Sequence, residues 1–282
     1  MELKANISSI LNSSFIDGPG NRMVIFFQGC QFNCIYCHNP HTIGLCKKCG
    51  SCVDNCPTQS LKLVEKEFIH EKESCICCDK CIRDCPEDSS PFYQQYTVTQ
   101  LINEVRKNAD FISGVTLSGG EVLLQADFVV LFIEALRCDE ELNHLTVYID
   151  SNGGVPIKQI QRVAQLADGF LIDLKAALNI SHLKITGQSI ENTLQTIKFL
   201  SSIEKLYEVR TVVVKGINDS EDEKEQYLKI YSSLKPGTKI YLLKMRKHGI
   251  RDKYSYLEEA TDSEMLQMTR YYASKGIKVD VL

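Results

Sequence analysis

The sequence predicts an α/β fold: an open barrel of six β/α units with a cysteine-rich insert near its start. Three observations lead there. From residue 114 onward, short apolar runs alternate with amphipathic stretches, as in a parallel sheet with helical crossovers. Counting the apolar run 23–27, the units number six rather than the eight of a closed barrel. Between that run and the first helix lie two runs of four cysteines with little apolar periodicity. That stretch cannot bury a sizeable core, so metal must hold it.

Taken in order, residues 1–20 are mixed and end in the turn cluster Asp17-Gly18-Pro19-Gly20. Residues 23–27 have the length of a buried strand, and residues 61–69 supply only a strand or hairpin inside the insert. Thr97 and Gln100 form a capping box for a helix to about residue 108. A strand over 114–117 runs into Ser118-Gly119-Gly120-Glu121, followed by a helix over 127–142. A strand over 145–149 ends in Asp150-Ser151-Asn152-Gly153, and a helix covers 157–166. A strand over 170–172 ends in Asp173-Leu174-Lys175, then a helix spans 190–203. A strand over 207–214 precedes a helix capped by Ser220 and Glu223. A strand over 239–243 precedes a helix capped by Thr261 and Glu264 and ended by Gly276, and residues 277–282 form a final strand. The candidate site residues fall just after strands, at the edge where α/β barrels build their sites.

Composition sets outer bounds. The 282 residues are 44% hydrophobic and 24% charged, with net charge -4, as in an ordinary globular protein. No long basic run points to nucleic acid, and no apolar run approaches a membrane span of roughly 18 residues. No secretory signal is visible, so a reducing, oxygen-poor cytoplasm and thiolate–metal ligation fit the 13 cysteines better than disulfides.

Cys30, Cys34 and Cys37 are spaced C-x3-C-x2-C. Iron–sulfur clusters normally take four thiolates, and three leave one iron open to an outside ligand. A zinc site completed by a distant His or Cys is the alternative, though zinc favours C-x2-C pairs. Cys46, Cys49, Cys52 and Cys56, followed by Pro57, follow C-x2-C-x2-C-x3-C-P, and Cys75, Cys78, Cys81 and Cys85, followed by Pro86, repeat it. This is the bacterial ferredoxin pattern, in which the fourth cysteine of each run ligates the other cluster. One 4Fe–4S cluster is thus expected on Cys46, Cys49, Cys52 and Cys85, and another on Cys75, Cys78, Cys81 and Cys56. Cys77 is not expected to be a ligand, and Cys138 reads as an ordinary buried thiol.

Around the triad stand Gly18, Gly20, Arg22, Phe26, Gly29 and Asn39. With the cysteines they match, without departure, the signature of the glycyl-radical-enzyme activating enzymes of the radical SAM superfamily. The chain resembles that family, which includes pyruvate formate-lyase activase. It looks most like the YjjW-type glycine radical enzyme activases, because the eight insert cysteines and the last strand depart from pyruvate formate-lyase activase itself. The resemblance implies a partial (β/α)6 radical SAM barrel with a ferredoxin-like two-cluster insert. Residues 1–40 would hold the first strand and cluster loop, 41–92 the insert, and 93–282 the remaining barrel.

It also implies three 4Fe–4S clusters, one binding S-adenosylmethionine (SAM) as cosubstrate on Cys30, Cys34 and Cys37. Glycines 119 and 120 let backbone approach the ligand, and Glu121 accepts from the SAM amino group. Asp150, Ser151, Asp173 and Lys175 lie near SAM, and Asp150 with Asp173 are candidates to share a monovalent cation. Arg210 has the strand parity of an interior residue, and a buried Arg needs an anion; the family gives it the SAM carboxylate. Tyr36 and His38 face adenine, as does either Arg246 or His248 where relatives carry a His. The implied activity is reductive cleavage of SAM to a 5′-deoxyadenosyl radical, which takes the α-hydrogen of a glycine on a partner glycyl radical enzyme. Ferredoxin or flavodoxin would supply electrons, and the insert would relay them or dock the partner. Two other readings stand beside it: a radical SAM enzyme acting on a small molecule or another peptide, and a plain ferredoxin-type electron carrier. The carrier leaves Cys30, Cys34 and Cys37 unexplained.

Overall fold

The computed structural model describes residues 2–282. Strands β1 (Lys4–Ser14) and β2 (Arg22–Phe27) form an antiparallel pair. The cysteine-rich stretch follows, with α1 (Ser51–Asp54), the hairpin β3 (Leu61–Val64) and β4 (Glu67–His70), and α2 (Lys80–Arg83). Strand β5 (Gln94–Thr97) then returns to pair with β1. The alternation begins with α3 (Val98–Arg106), β6 (Gly114–Gly119), α4 (Ala126–Cys138), β7 (Thr146–Ser151), α5 (Ile157–Ala164) and β8 (Gly169–Asp173). It continues with α6 (Asn179–Thr186), α7 (Glu191–Ser202), β9 (Leu206–Val213), α8 (Glu221–Ser232), β10 (Lys239–Lys244), α9 (Asp262–Ser274) and β11 (Asp280–Val281).

The main sheet has nine strands in the order β11-β10-β9-β8-β7-β6-β2-β1-β5. From β2 through β10 the neighbours are parallel, as short apolar runs joined by helices require. β2 and β10 are not neighbours, so the curved sheet stays open along one side. Along β2, Met23, Ile25 and Phe27 face the helical layer, and Phe27 meets Phe128 of α4 edge-on at 6.3 Å. The opposite parity faces the barrel interior. There Arg22, fully buried, donates to Thr116 Oγ1 (2.7 Å) and to the carbonyls of Val115 (2.6 Å) and Thr146 (3.0 Å). Its guanidinium lies 4.7 Å from the Tyr148 ring centroid. Burial pushes its pKa down to about 10. This signature residue is a structural post inside the barrel.

Several expectations change. β1 went unread because Ser and Asn dominate it; only Ala5, Ile7 and Ser14 are buried, beside β2. β5 is equally polar, and α6 has almost no apolar face by sequence. The helix expected over 127–142 ends at Cys138, where Asp139 leaves helical geometry and pairs with Arg106. Cys138 is exposed, not buried. The last strand shrinks to Asp280–Val281. Ser220 caps α8, but the Glu223 carboxylate accepts instead from Ala177 and Leu178 N–H, tying α8 to the segment after β8. The capping boxes at Thr97 and Thr261 form as expected. No described helix is long and apolar enough to cross a membrane.

Candidate active site

A cleft of about 450 Å³ opens at the C-terminal edge of the parallel strands. The loop after β2 brings Cys30, Cys34, Tyr36, Cys37 and His38 to it. β6 brings Gly119 and Gly120, β7 Asp150 and Ser151, β8 Asp173 and Lys175, and β9 Arg210. Thus twelve residues expected from the sequence line one cavity.

The cysteine loop is held from several sides. Gly29 N–H donates to Thr42 O (2.8 Å) and Cys30 N–H to Ile43 O (2.9 Å). Asn33 and Ile35 N–H donate to Thr186 and Ile185 of α6, both at 2.9 Å. Gly119 and Gly120 are needed for packing: a Cβ at Gly119 would lie 2.2 Å from Phe27 N, and one at Gly120 2.3 Å from Gly29 O. Their bareness seats the loop on β6, in addition to the close approach to ligand expected of them where they line the cleft.

Glu121 is also reassigned. It is 1% exposed and does not line the cleft. Its carboxylate accepts from Ser151 Oγ (2.8 Å), Asn152 N–H (2.9 Å) and Leu123 N–H (3.0 Å). Burial pushes its pKa up to about 7 against the pull of those donors. Glu121 fixes the turn after β7, and its oxygens are spent there. Through that turn it places Asn152, whose Nδ2 donates to Cys30 Sγ at 3.7 Å and whose Oδ1 accepts from Gln31 at 2.9 Å. Asn152 was missed, although it stands in the quoted Asp150–Gly153 run; the polar strand-end was the signal.

The charges in the cleft are paired. Lys175 Nζ lies 2.7 Å from Asp173. Burial works against that cation, but Asp173 and the nearby Tyr36 and Cys34 hold it well above its ordinary value. Arg210 faces Asp150 at 3.7 Å, and its Nε donates to Glu208, the buried anion that the sequence reading did not name. Burial would lower Arg210, but Asp150, Glu208 and Asp173 outweigh it. Burial raises Asp150 to about 6, Asp173 adds to the rise, and Arg210 and Ser118 Oγ oppose it. Arg210 and Lys175 supply the counter-charge for which a monovalent cation was considered. Among the described residues, no three His, Cys, Asp or Glu side chains converge as a single-ion site requires. Asp17 also lines the cleft, so its carboxylates (Asp17, Asp150 and Asp173) outnumber Lys175 and Arg210 even before Glu208 behind Arg210 is counted, a field that suits a sulfonium.

The donor set fits a cluster held by three thiolates. Burial raises all three thiols, Cys34 to about 11, so their ionised forms need a cation beside them. The buried Tyr36 hydroxyl has no partner and belongs to the cleft lining, as expected of a residue that meets a bound molecule. Arg246 and His248 do not line this cleft. Arg246 is exposed near Glu259, and His248 lies in an adjoining groove of about 940 Å³ between the insert and residues 247–253, which shares His38 and Asn39 with the cleft.

In the insert, a cavity of about 160 Å³ is lined by Cys56, Cys75, Cys78 and Cys81, with Cys77 at its wall. Burial raises Cys52 to about 11, with Cys46, Cys85 and Cys49 adding to it. Cys81 lies near Cys52 as well, so the eight insert thiols of the two runs stand close to one another. The Ser60 hydroxyl, with Thr58 behind it, lowers half-buried Cys56 to about 6.

A sequence model of the family described as Radical SAM superfamily matches residues 24–226. The chain is 32% identical over 93% of its length, and 90% of the relative's, to the trans-4-hydroxy-L-proline dehydratase activating enzyme of Clostridioides difficile. It is 31% identical to the choline trimethylamine-lyase activating enzyme of Oleidesulfovibrio alaskensis, covering 91% of this chain and 88% of that one. Among solved structures, QueE of Escherichia coli superposes with a TM-score of 0.57 at 13% identity, covering 99% of this chain and 94% of that one. That last likeness concerns the fold alone.

Proposed function

The chain belongs to the radical SAM superfamily, and within it to the activating enzymes of glycyl radical enzymes, and from that membership we infer how its residues divide the work. The protein uses SAM to generate a glycyl radical on a partner enzyme. When bound, the 4Fe–4S cluster supplies one electron to the SAM sulfonium, which breaks to methionine and a 5′-deoxyadenosyl radical. That radical takes the α-hydrogen of the partner's glycine, leaving 5′-deoxyadenosine and the glycyl radical. SAM is consumed as cosubstrate.

Cys30, Cys34 and Cys37 hold the cluster in this reading. The observation that carries it is the meeting of those three thiols with Asp150, Asp173, Lys175 and Arg210 in one cleft. Asp173 and Lys175 orient the ribose side of SAM, and Arg210 serves its carboxylate while staying paired with Glu208. Tyr36 and His38 flank adenine. Glu121 and Ser151 act by positioning Asn152 and the turn after β7.

The finer assignments are part of the same proposal. Residues 41–92 form a ferredoxin-like insert with two further clusters, on Cys46, Cys49, Cys52 and Cys85 and on Cys56, Cys75, Cys78 and Cys81. Residues 1–40 and 93–282 form the barrel, and the subgroup is the YjjW-type. The electron donor is a ferredoxin or flavodoxin, and the compartment is the cytoplasm. The grouping of the insert thiols supports the two-cluster reading.

Anaerobic reconstitution with iron and sulfide, followed by dithionite and SAM, should yield 5′-deoxyadenosine. Adding the partner enzyme should then produce a glycyl-radical doublet by electron paramagnetic resonance. Deoxyadenosine without a doublet on any glycyl radical enzyme tried would move the substrate to a small molecule or another peptide. No deoxyadenosine from a fully loaded protein would remove SAM cleavage altogether.

A further inference from the structure

Arg251 is used by none of the roles above, yet its side chain is only 9% exposed. It lies in the limb after β10 and reaches two other segments at once. Its Nη1 lies 2.7 Å from the Asp88 carboxylate, three residues past Cys85. Its Nη2 donates to the carbonyl of Cys34 at 2.9 Å and of Asn33 at 3.3 Å. Tyr254 covers its face, 4.9 Å from ring centroid to guanidinium carbon. The planar fork of an arginine makes such a bridge, and a lysine ammonium does not.

The surrounding backbone makes the bridge specific. Gly44 N–H donates to Asp88 O at 2.9 Å, so the chain entering the insert and the chain leaving it are joined. A Cβ at Gly44 would lie 1.8 Å from Glu87 O. Gly249, with φ +83°, brings the limb against His38, where a Cβ would lie 2.7 Å from the carbonyl. His38 Nε2 in turn lies 3.0 Å from Arg246 O. The limb, the insert exit and the cysteine loop thus meet around one guanidinium.

We propose that Arg251 is a positioning residue that locks the insert, through Asp88, to the catalytic cysteine loop, through the Cys34 carbonyl. Two consequences follow from its chemistry. The Cys46/Cys49/Cys52/Cys85 group is the insert's inner station, because both chain ends that carry it are tied to the cysteine loop. The guanidinium lies nearer the Cys34 carbonyl than its Asp88 partner does, so its charge, only partly offset by Asp88, favours the reduced state of whatever centre that loop holds and raises its potential.

This inference rests on the radical SAM reading only for the identity of that centre. It is tested on the anaerobically reconstituted holoenzyme by amide hydrogen exchange and by a potentiometric titration of the loop's centre. Arg251→Gln should speed exchange together over residues 30–37 and 85–92, move the potential to a more negative value, and slow dithionite-driven deoxyadenosine formation by roughly 10–100-fold. Arg251→Lys keeps the charge without the fork, so exchange should rise as in the Gln variant while the potential stays near that of the parent. Asp88→Asn should reproduce the exchange change from the other end. Exchange altered only within residues 246–254, with the potential unmoved, would overturn the lock. If the parent protein makes no deoxyadenosine yet the exchange responses stay linked, the functional reading fails and the lock stands.

Discussion

Arg210 shows how a single buried charge divides its duties. It neutralises Glu208 and faces Asp150, so it is already paired before any substrate carboxylate arrives. Arg210→Lys preserves the charge but not the planar fork. The KM for SAM in deoxyadenosine formation should rise on the order of tenfold, about 1.4 kcal/mol of binding, with a smaller change in kcat. An unchanged KM would leave Arg210 as the counter-ion of Glu208 alone. Strand parity in the sequence placed Arg210 inside the barrel, since Val212 on the same face lines the cleft with it. Glu208 shares that parity but was passed over, because nothing in sequence spacing tells a buried carboxylate from a solvated one.

At the scale of elements, the insert and the cysteine loop are separate constructions. The insert has a two-stranded sheet of its own and two four-residue helices that pack together, with few apolar contacts. On the two-cluster reading proposed above, metal is the main source of its order. Cys75→Ala combined with Cys78→Ala should lower iron content by about one cluster, roughly four irons. Dithionite-driven SAM cleavage should persist, because small reductants reach the catalytic loop directly. Complete loss of cleavage in a folded variant would mean that the clusters are not independent. The cysteine spacings mark both stretches in the sequence, because cluster ligation would impose fixed spacing on the chain. β1 and α6 were not readable, because their role is to back other elements and their own sequences carry little periodic signal.

For the whole molecule, the buried acids make stability depend on pH. Burial is the main cause that raises Glu121 to about 7 and Asp150 to about 6. In the unfolded chain both titrate near about 4. The folded state therefore binds more protons between those values, so this stabilisation is complete below about pH 4 and is lost as pH rises through 6 to 7. The apparent unfolding temperature of the anaerobic holoenzyme should fall from pH 5.5 to 7.5. Glu121→Gln should show a smaller fall, at the cost of about 1–3 kcal/mol for the donors left unmatched. An equal fall in both proteins would take Glu121 out of the pH response.

The sequence by itself determined the order of β/α units and the strand ends that build the cleft, and its spacings mark the cysteines expected as cluster ligands. Those features are local: spacing sets ligand geometry, and periodicity sets which face is buried. Only the tertiary structure decided how contacts distant in sequence use the same residues. It turned Glu121 away from the cleft to hold Asn152, gave Glu208 to Arg210, and moved Arg246 and His248 out of the site. It also brought Arg251 to Asp88 and Cys34, across 163 and 217 positions of chain. A hydrogen bond of that span leaves no periodic or spacing signal in the sequence. It exists only because the fold brings the segment after β10 against the loop that follows β2.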